Sequence, residues 1–150
     1  MKLVRAWALG VLAVLLTGRP VLAQAAYTVE QASPPIHTRG VPVMVAYTPP
    51  EPLPHNAAML RVQVQLSGQT RVPVQTRVCV DLQAKQCMEV NGASATTSRF
   101  YGIPANRPVY LVYTVPGEGS LNPNVYVRGS VTVWYGRASL PSSRSSAVRP

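Results

Sequence analysis

Hydrophobic and polar residues alternate along several stretches of this chain. Within Met59–Leu66 every second position is aliphatic and the positions between are polar; the aliphatic ones are Leu60, Val62, Val64 and Leu66. A period of two places one set of side chains on a buried face and the other in solvent, which is the pattern of a half-buried β-strand. Arg71–Leu82 and Val125–Tyr135 follow the same pattern, and Val41–Tyr47 and Val109–Val115 are shorter runs of the same kind.

The alternation also predicts which side chains face the core. In the run from 71 to 82 the inward positions are Val72, Val74, Val78, Val80 and Leu82, and the outward ones are Gln75, Arg77, Cys79 and Asp81. In the run from 125 to 135 the inward positions are Val125, Val127, Val131, Val133 and Tyr135, and the outward ones are Tyr126, Arg128, Thr132 and Trp134. We therefore expect Cys79, Tyr126 and Trp134 on outer surfaces.

Proline or glycine interrupts these runs every 8–12 residues or so, a spacing typical of β-sandwiches and barrels. Asn91–Asn106 is less regular, with one short strand expected at Thr97–Tyr101, and Pro116–Asn124 is predicted to be a loop. Pro42 and Pro73 lie inside strand-like runs and indicate edge positions or bulges. The predicted fold is all-β: a single antiparallel β-sandwich or partly open barrel of about seven to eight strands.

The first residues have the composition of an export signal. Lys2 and Arg5 precede the apolar run Ala6–Thr17, which is too short to cross a bilayer. Small residues offer cleavage after Ala23 or after Ala25, and the second site is favoured as an A-x-A sequence. An uncleaved membrane anchor is the alternative interpretation.

These features divide the chain into three parts. We expect a cleaved Sec-type signal peptide at 1–25, a β-sandwich domain at 26–137 and a disordered Ser-rich tail at 138–150. The mature chain is then expected outside the cytoplasm, without stable insertion into the membrane.

The distribution of charge argues against nucleic acid as a partner. The 14 Lys and Arg and the 5 Asp and Glu give a formal net charge of +9, and removal of three basic residues with the signal leaves 11 and 5, or +6. The arginines are scattered singly without forming a stripe, which argues against nucleic acid. A basic surface outside the cytoplasm is either simply solvated, which is the favoured interpretation, or a contact for anionic lipid, wall polymer or acidic protein.

Two cysteines, Cys79 and Cys87, both lie in the mature part. In an oxidising compartment such a pair predicts a disulfide, with free thiols, a metal site or a redox-active pair as alternatives. If the chain turns back after Asp81, that residue faces Lys85 as an ion pair and the two cysteines oppose each other on the outer face.

The residues give little support for catalysis. The two histidines, His37 and His55, stand in proline-rich stretches, and the chain has no G-x-S-x-G, H-E-x-x-H or phosphate-binding loop. We expect no enzymatic activity, no cofactor and no metal. The outward aromatic residues Tyr126, Trp134 and Tyr110 are instead candidates for contact with a protein, unless a loop, the tail or a second layer covers them.

The C-terminal half resembles a known family. Tyr113-Thr-Val-Pro-Gly-Glu-Gly-Ser-Leu-Asn-Pro, followed by Val125-Tyr-Val and Val131-Thr-Val-Trp-Tyr, is similar to the C-terminal block of the flagellar protein FlhE family. Cys87-Met-Glu-Val-Asn-Gly with the later Thr-Thr and Gly-Ile pairs is similar to the stretch before it. The turn residues that carry the resemblance are Pro116, Gly117, Gly119, Leu121 and Pro123.

The resemblance implies a periplasmic accessory protein of the flagellum. Such a protein binds flagellar rod or export-apparatus proteins, limits proton leak through the type III export apparatus and acts as a chaperone in rod assembly. A carbohydrate- or cell-wall-binding module, retained through the outward aromatics, is one alternative. An inhibitor of a periplasmic or secreted enzyme, acting through a rigid protruding loop at Pro116–Asn124, is another.

Overall fold

The computed structural model describes residues 24–68 and 71–137, which form strands and loops without a helix. Ten strands follow in chain order: β1 (Ala25–Ala32), β2 (Ile36–Thr38), β3 (Val43–Tyr47), β4 (Ala57–Ser67), β5 (Gln75–Cys79), β6 (Cys87–Val90), β7 (Ser94–Thr97), β8 (Val109–Thr114), β9 (Ser120–Val125) and β10 (Arg128–Arg137). The first sheet has the order β1-β10-β4-β7, the second sheet has the order β3-β8-β5-β6, and β2 and β9 form a two-stranded ribbon. The predicted all-β, sandwich-like fold is confirmed, with more strand segments than predicted.

The long strands β4 and β10 form the centre of the first sheet. Val62 lies opposite Val133 and Val64 opposite Val131, and all four side chains are almost completely buried. The alternation in the sequence therefore predicted this core face correctly. Burial of an aliphatic side chain of this size is worth about 1.5–3 kcal/mol, so this face supplies a large share of the stability of the sheet.

Two positions near the start of β4 depart from the predicted alternation. The register between β4 and β10 shifts at Trp134/Tyr135, so that Tyr135 lies opposite Met59. Met59 is completely buried as a result, and Leu60, which was predicted to face the core, is only partly buried. A bulge of this kind reverses the direction of every side chain beyond it.

The second sheet is organised around β8. Its core-facing residues Val109, Leu111 and Tyr113 have no exposed surface. They lie between β3 and β5, which contribute Tyr47 and Val78 to the same layer. Pro42 directly precedes β3, an edge strand, as predicted, whereas Pro73 lies outside the strands in the connection before β5.

The two sheets are joined at one end by chain segments that cross between them. Ser33 follows β1 and Val127 precedes β10, and the two residues bond at the corner where both segments leave the first sheet. The Ser33 N–H donates to the Val127 carbonyl at 2.7 Å, and the Val127 N–H donates to the Ser33 hydroxyl oxygen at 3.0 Å. The buried polar groups of this corner are thereby satisfied, and the ribbon of β2 and β9 begins beyond it.

Two tyrosines occupy the space between the sheets. The hydroxyl groups of Tyr47 and Tyr113 are 3.3 Å apart, and the Tyr47 hydroxyl also donates to the Gln31 carbonyl at 3.3 Å. Burial raises the pKa of both tyrosines above the ordinary value. Gly129 lies directly against them: a Cβ atom at this position would stand 2.5 Å from the Tyr113 hydroxyl and 2.6 Å from that of Tyr47.

Three segments have a secondary structure that differs from the prediction. Val125–Tyr135 is not one strand but is interrupted between β9 and β10, because the chain changes sheets at that corner. Pro116–Asn124 is not a loop throughout, since its second half belongs to β9 and pairs with β2. The short strand expected at Thr97–Tyr101 lies earlier, at β7, and the chain turns after Thr97.

The predicted boundaries are only partly within the described residues. The tail at 138–150 lies outside them, and so does the signal segment apart from Gln24 and Ala25. β1 begins at Ala25, so cleavage after Ala23 keeps this strand whole and cleavage after Ala25 removes its first residue. Both boundaries remain predictions.

Candidate functional site

The two cysteines staple the hairpin of β5 and β6. Cys79 lies opposite Cys87, and Val78 opposite Met88, in the register predicted from the sequence. The cysteines form a disulfide with their Cα atoms 4.1 Å apart, which confirms the predicted bond. Cys79 is fully buried rather than exposed on an outer face, because β5 is an inner strand and its side chain is flanked by Tyr110 of β8 and by Cys87.

Asp81 fixes the turn that follows β5. Its carboxylate accepts hydrogen bonds from the backbone N–H of Gln86 at 2.9 Å and of Lys85 at 3.0 Å. Both hydrogen bonds lower the pKa of the Asp81 carboxyl, and the bond from Gln86 has the larger effect. The predicted ion pair with the side chain of Lys85 is therefore replaced by bonds to the backbone. Leu82, predicted to face the core, falls in this turn and is 69% exposed.

The three candidate aromatic residues lie on three separate surfaces. Trp134 faces outward from the first sheet, and Tyr110 faces outward from the second sheet on the opposite side of the molecule. Tyr126 stands between β9 and β10 and is 58% exposed. The structure therefore does not bring them together into one binding surface.

One face of the Trp134 indole is occupied. The guanidinium carbon of Arg61 lies 4.2 Å from the ring centroid, in the arrangement of a cation–π contact. Arg61 and Trp134 are direct cross-strand neighbours, which explains why the two side chains meet. A ligand that stacks on this ring must first displace the arginine.

The turn motif begins in the connection between β8 and β9, which packs against the connection between β2 and β3. The Arg39 N–H donates to the Gly119 carbonyl and the Gly40 N–H to the Val115 carbonyl, both at 2.8 Å. Gly117 and Gly119 adopt φ angles of 103° and 97°, which favour glycine. A Cβ atom on Gly40 would stand 2.9 Å from the Gly117 carbonyl oxygen, so this contact excludes side chains.

Downstream of the turn, the motif continues into β9. Leu121 is 6% exposed and belongs to the core, whereas Pro123, which follows a cis peptide bond, is exposed. His37 of β2 bonds to the side chain of Asn124 at 2.9 Å and so holds the other end of the ribbon. Pro116 supplies its carbonyl to the Arg39 guanidinium at 3.3 Å. These residues position β9 at the surface.

A groove of about 550 Å³ runs along β9. β9 and Tyr126 form one wall, Arg71 and Val72 of the connection between β4 and β5 contribute another, and Arg39 also lines it. We call this feature the β9 groove; its lining residues are Arg39, Arg71, Val72, Ser120, Leu121, Asn122, Pro123, Asn124, Val125 and Tyr126. Of the five motif residues, Leu121 and Pro123 line the groove. The other three, Pro116, Gly117 and Gly119, form the turn that positions β9.

The β9 groove was not predicted from the sequence. Arg39 and Arg71 are 32 positions apart and were interpreted as scattered surface charges, yet two crossover connections bring them to one cavity. No local pattern in the sequence links these two arginines. Of the candidate aromatic residues, Tyr126 is the one that lines this groove.

The groups of catalytic and metal-binding chemistry are dispersed. Residues 24–68 and 71–137 hold no group of three or more His, Cys, Asp or Glu side chains that are placed to bind a metal ion. His37 lies on the ribbon and His55 lines a shallow depression near Arg137, at the other end of the strands. In the same described ranges, no helix has the length and apolar character needed to cross a membrane.

Comparison with known proteins gives one consistent family. The family model of flagellar protein FlhE matches residues 33–136. The FlhE proteins of Salmonella typhimurium and Escherichia coli K12 are 35% and 39% identical to the chain over 69 and 72 residues. These alignments cover 46% and 47% of this chain and only 51% and 53% of the relatives, about half of their length.

A solved structure extends the comparison to nearly the whole fold. A crystal structure of FlhE superimposes with a TM-score of 0.63 and 27% identity, covering 76% of this chain and 97% of that one. The family model spans the turn motif, the disulfide hairpin and the β9 groove. The chain therefore belongs to the FlhE family of flagellar proteins.

Proposed function

We propose that this protein is a periplasmic accessory factor of the flagellum that acts by binding other proteins. In this proposal it regulates the type III export apparatus, limits proton leak through it and acts as a chaperone for rod assembly. The match of the family model to residues 33–136 carries the proposal, because it spans all strands from β2 to nearly the end of β10. Rod or export-apparatus proteins are the proposed partners.

The disulfide supports the periplasm as the compartment. Structural disulfides form and persist in oxidising compartments and are rare in the cytosol. The Cys79–Cys87 bond closes a hairpin of the folded domain rather than a C-x-x-C redox loop. The export signal predicted at 1–25 points to the same compartment.

The two alternative functions have less support from the contacts. A glycan-binding module needs an open aromatic face, and Arg61 covers one face of Trp134. An inhibitor needs a protruding loop, and the proposed segment Pro116–Asn124 is held by Arg39 and Gly40 and continues into a paired strand. Binding of a flagellar protein requires neither feature.

A deletion experiment in the native host tests the proposal. We expect cells without the gene to acidify their cytoplasm when flagellar export is active, as measured with a pH-sensitive fluorescent protein, and to form misplaced filaments that are visible by electron microscopy. Re-expression of the full chain should reverse both effects. If fractionation places the chain in the periplasm and the deletion changes neither measurement, the proposal is wrong.

Surface variants in the same strain locate the contact. Trp134→Ala, Tyr110→Ala and Tyr126→Ala each remove an aromatic residue from a different surface, so they must be tested singly. The variant that abolishes rescue while it retains the circular dichroism spectrum and the midpoint of urea unfolding identifies the surface. Loss of rescue by all three, with the fold intact, would contradict a single contact surface.

A further inference from the structure

We propose that the β9 groove binds an extended, acidic segment of a partner protein. The proposal deepens the proposed function and rests on it, since it names the surface and the chemistry of the partner. The basis of the proposal is that the β9 groove follows the length of a strand and is lined by two arginines and an exposed tyrosine.

Charge selects an acidic occupant. Arg39 and Arg71 both line the groove, and none of its ten lining residues is acidic. Arg39 uses one nitrogen on the Pro116 carbonyl at 3.3 Å, although a guanidinium has five N–H donors. Arg71 is exposed and has no partner among the described residues. Carboxylates are natural acceptors for these donors, and they would find no competing anion in the cavity.

The length of the groove favours an extended polypeptide segment over a compact anion as its occupant. β9 has six residues and so spans roughly 20 Å at the rise of a β-strand. Arg39 lies at the Ser120 end, next to Gly119, whereas Tyr126 follows the other end of the strand. A phosphate or a lipid headgroup needs donors that converge on one point, whereas Arg39 and the ring of Tyr126 stand at opposite ends of β9 in this groove.

The lining also suits a polypeptide backbone. Asn122 presents a side-chain amide that can both donate and accept hydrogen bonds, and Asn124, whose amide oxygen bonds to His37, keeps its N–H donors. Val72 and Val125 add apolar surface to the lining, and Tyr126 presents a ring that is 58% exposed. A strand-length groove lined by both polar and apolar groups suits an extended segment, whose side chains alternate in direction with a period of two residues.

The test uses the mature protein purified from the periplasm and a fluorescein-labelled peptide of seven alternating Glu and Val residues. Binding is followed by fluorescence anisotropy, with the Lys–Val peptide as the charge-reversed probe. We expect only the acidic peptide to bind, and its affinity to fall as salt rises from 20 to 300 mM. Arg39→Gln with Arg71→Gln should weaken binding by roughly tenfold, in line with partly exposed charge pairs.

The matched control removes the same charge elsewhere. Arg107→Gln with Arg137→Gln lies before β8 and at the end of β10, at the opposite end of the strands from the groove. This pair should leave the affinity within about twofold, since both charges are more than a Debye length from β9 in buffer near 0.1 M salt. Tyr126→Ala should weaken binding without changing its salt dependence, because it removes surface and no charge.

Three outcomes would overturn the inference. Equal loss of affinity in the two double variants would mean that net charge alone attracts the peptide. Absence of binding by the acidic peptide at low salt would exclude this occupant. Binding of phosphatidylglycerol vesicles that is lost in the groove variant, without peptide binding, would assign the groove to a membrane surface.

The fate of the inference is separable from that of the proposed function. If the Arg39 and Arg71 variant fails to bind the peptide and yet restores the deletion strain fully, the flagellar function stands and the groove is not its contact. If the native protein binds the peptide and the deletion has no flagellar effect, the groove stands and the proposed function is wrong.

Discussion

Replacement of Gly129 by Ala should destabilise the fold strongly, although it adds a single methyl group. The backbone of Gly129 does not adopt a positive φ angle, so alanine meets no conformational strain there. The added Cβ would instead stand 2.5 Å from the Tyr113 hydroxyl, 2.6 Å from that of Tyr47 and 2.9 Å from the Leu111 Cδ1 atom. Ordinary separations are about 3.5 Å, so two buried hydroxyls must each move by roughly 1 Å.

The magnitude follows from three contributions. Overpacking of a closed core costs about 1–3 kcal/mol. Displacement of the paired hydroxyls from each other and from the Gln31 carbonyl leaves buried polar groups unsatisfied, which costs about 1–3 kcal/mol more. Alanine recovers about 0.4–1 kcal/mol by restricting the unfolded chain. The free energy of unfolding should therefore fall by about 1–5.5 kcal/mol.

Urea unfolding, followed by circular dichroism and by fluorescence of Trp134, measures this difference. Gly136→Ala on the same strand is the matched control, because its Cβ would meet only the flexible end of Leu60 at 3.3 Å. The control should remain within about 0.5 kcal/mol of the native protein. In a background with Tyr47→Phe and Tyr113→Phe, both hydroxyls are absent and the cost of Gly129→Ala should fall by half or more.

Two results would refute this reasoning. A loss below about 0.5 kcal/mol would mean that the core relaxes around the methyl group at no cost. An equal loss in the native and double-Phe backgrounds would mean that the hydroxyl groups are not the source of the clash.

Three further predictions concern the bonds that hold the domain together. Replacement of Cys79 and Cys87 by Ser should lower the free energy of unfolding by about 2–3 kcal/mol, the chain-entropy value for the short loop they close, as measured by urea unfolding. Ser33→Ala should cost about 1–3 kcal/mol in the same assay, because the buried N–H of Val127 loses its acceptor. Burial raises the pKa of Tyr27 to about 12 from 10.0, so its contribution to stability is full below pH 10 and is lost as the pH rises to 12.

Each of these predictions has a control. Ser130→Ala lies on the outer face of β10 and should change stability little, so equal costs at Ser33 and Ser130 would contradict the corner bond. The reduced native protein isolates the loss of the disulfide, and any further loss in the double Ser variant comes from the hydroxyl that Ser places at the buried position 79. An unchanged free energy of unfolding on reduction would contradict the prediction. Tyr27→Phe should make the decline in stability between pH 10 and 12 shallower, leaving the part due to Tyr47 and Tyr113, whose pKa values are also raised, and an unchanged decline would contradict the contribution of Tyr27.

The sequence predicted local structure where burial follows a simple period. β4 and β10 alternate over most of their length, so the residues that meet across them, such as Val62 and Val133, were identified correctly. The cysteine pair was also predictable, because a hairpin fixes its own register. β9 was missed, since Pro123 and two glycines hide its pattern and its partner β2 is only three residues long.

Features that depend on segments distant in the sequence were not predictable from the alternation of hydrophobic and polar residues. Gly129 is required by two tyrosine hydroxyls of the other sheet, and Cys79 is buried by its neighbours across the strands. The β9 groove combines Arg39 and Arg71 through crossover connections whose path no local pattern encodes. The register shift at Trp134/Tyr135 likewise changes which β4 side chain reaches the core.

In-cell photocrosslinking tests the central claim, that the protein works in the periplasm by binding flagellar proteins. A photoreactive phenylalanine replaces Tyr126 in the β9 groove, or Tyr101 near the opposite end of the strands, in tagged full-length protein in motile cells. After irradiation, mass spectrometry identifies the captured partners. We predict rod or export-apparatus proteins at the Tyr126 position, well above those at the Tyr101 position. Capture of wall fragments or an unrelated enzyme, with no flagellar protein above background at either position, would contradict the account.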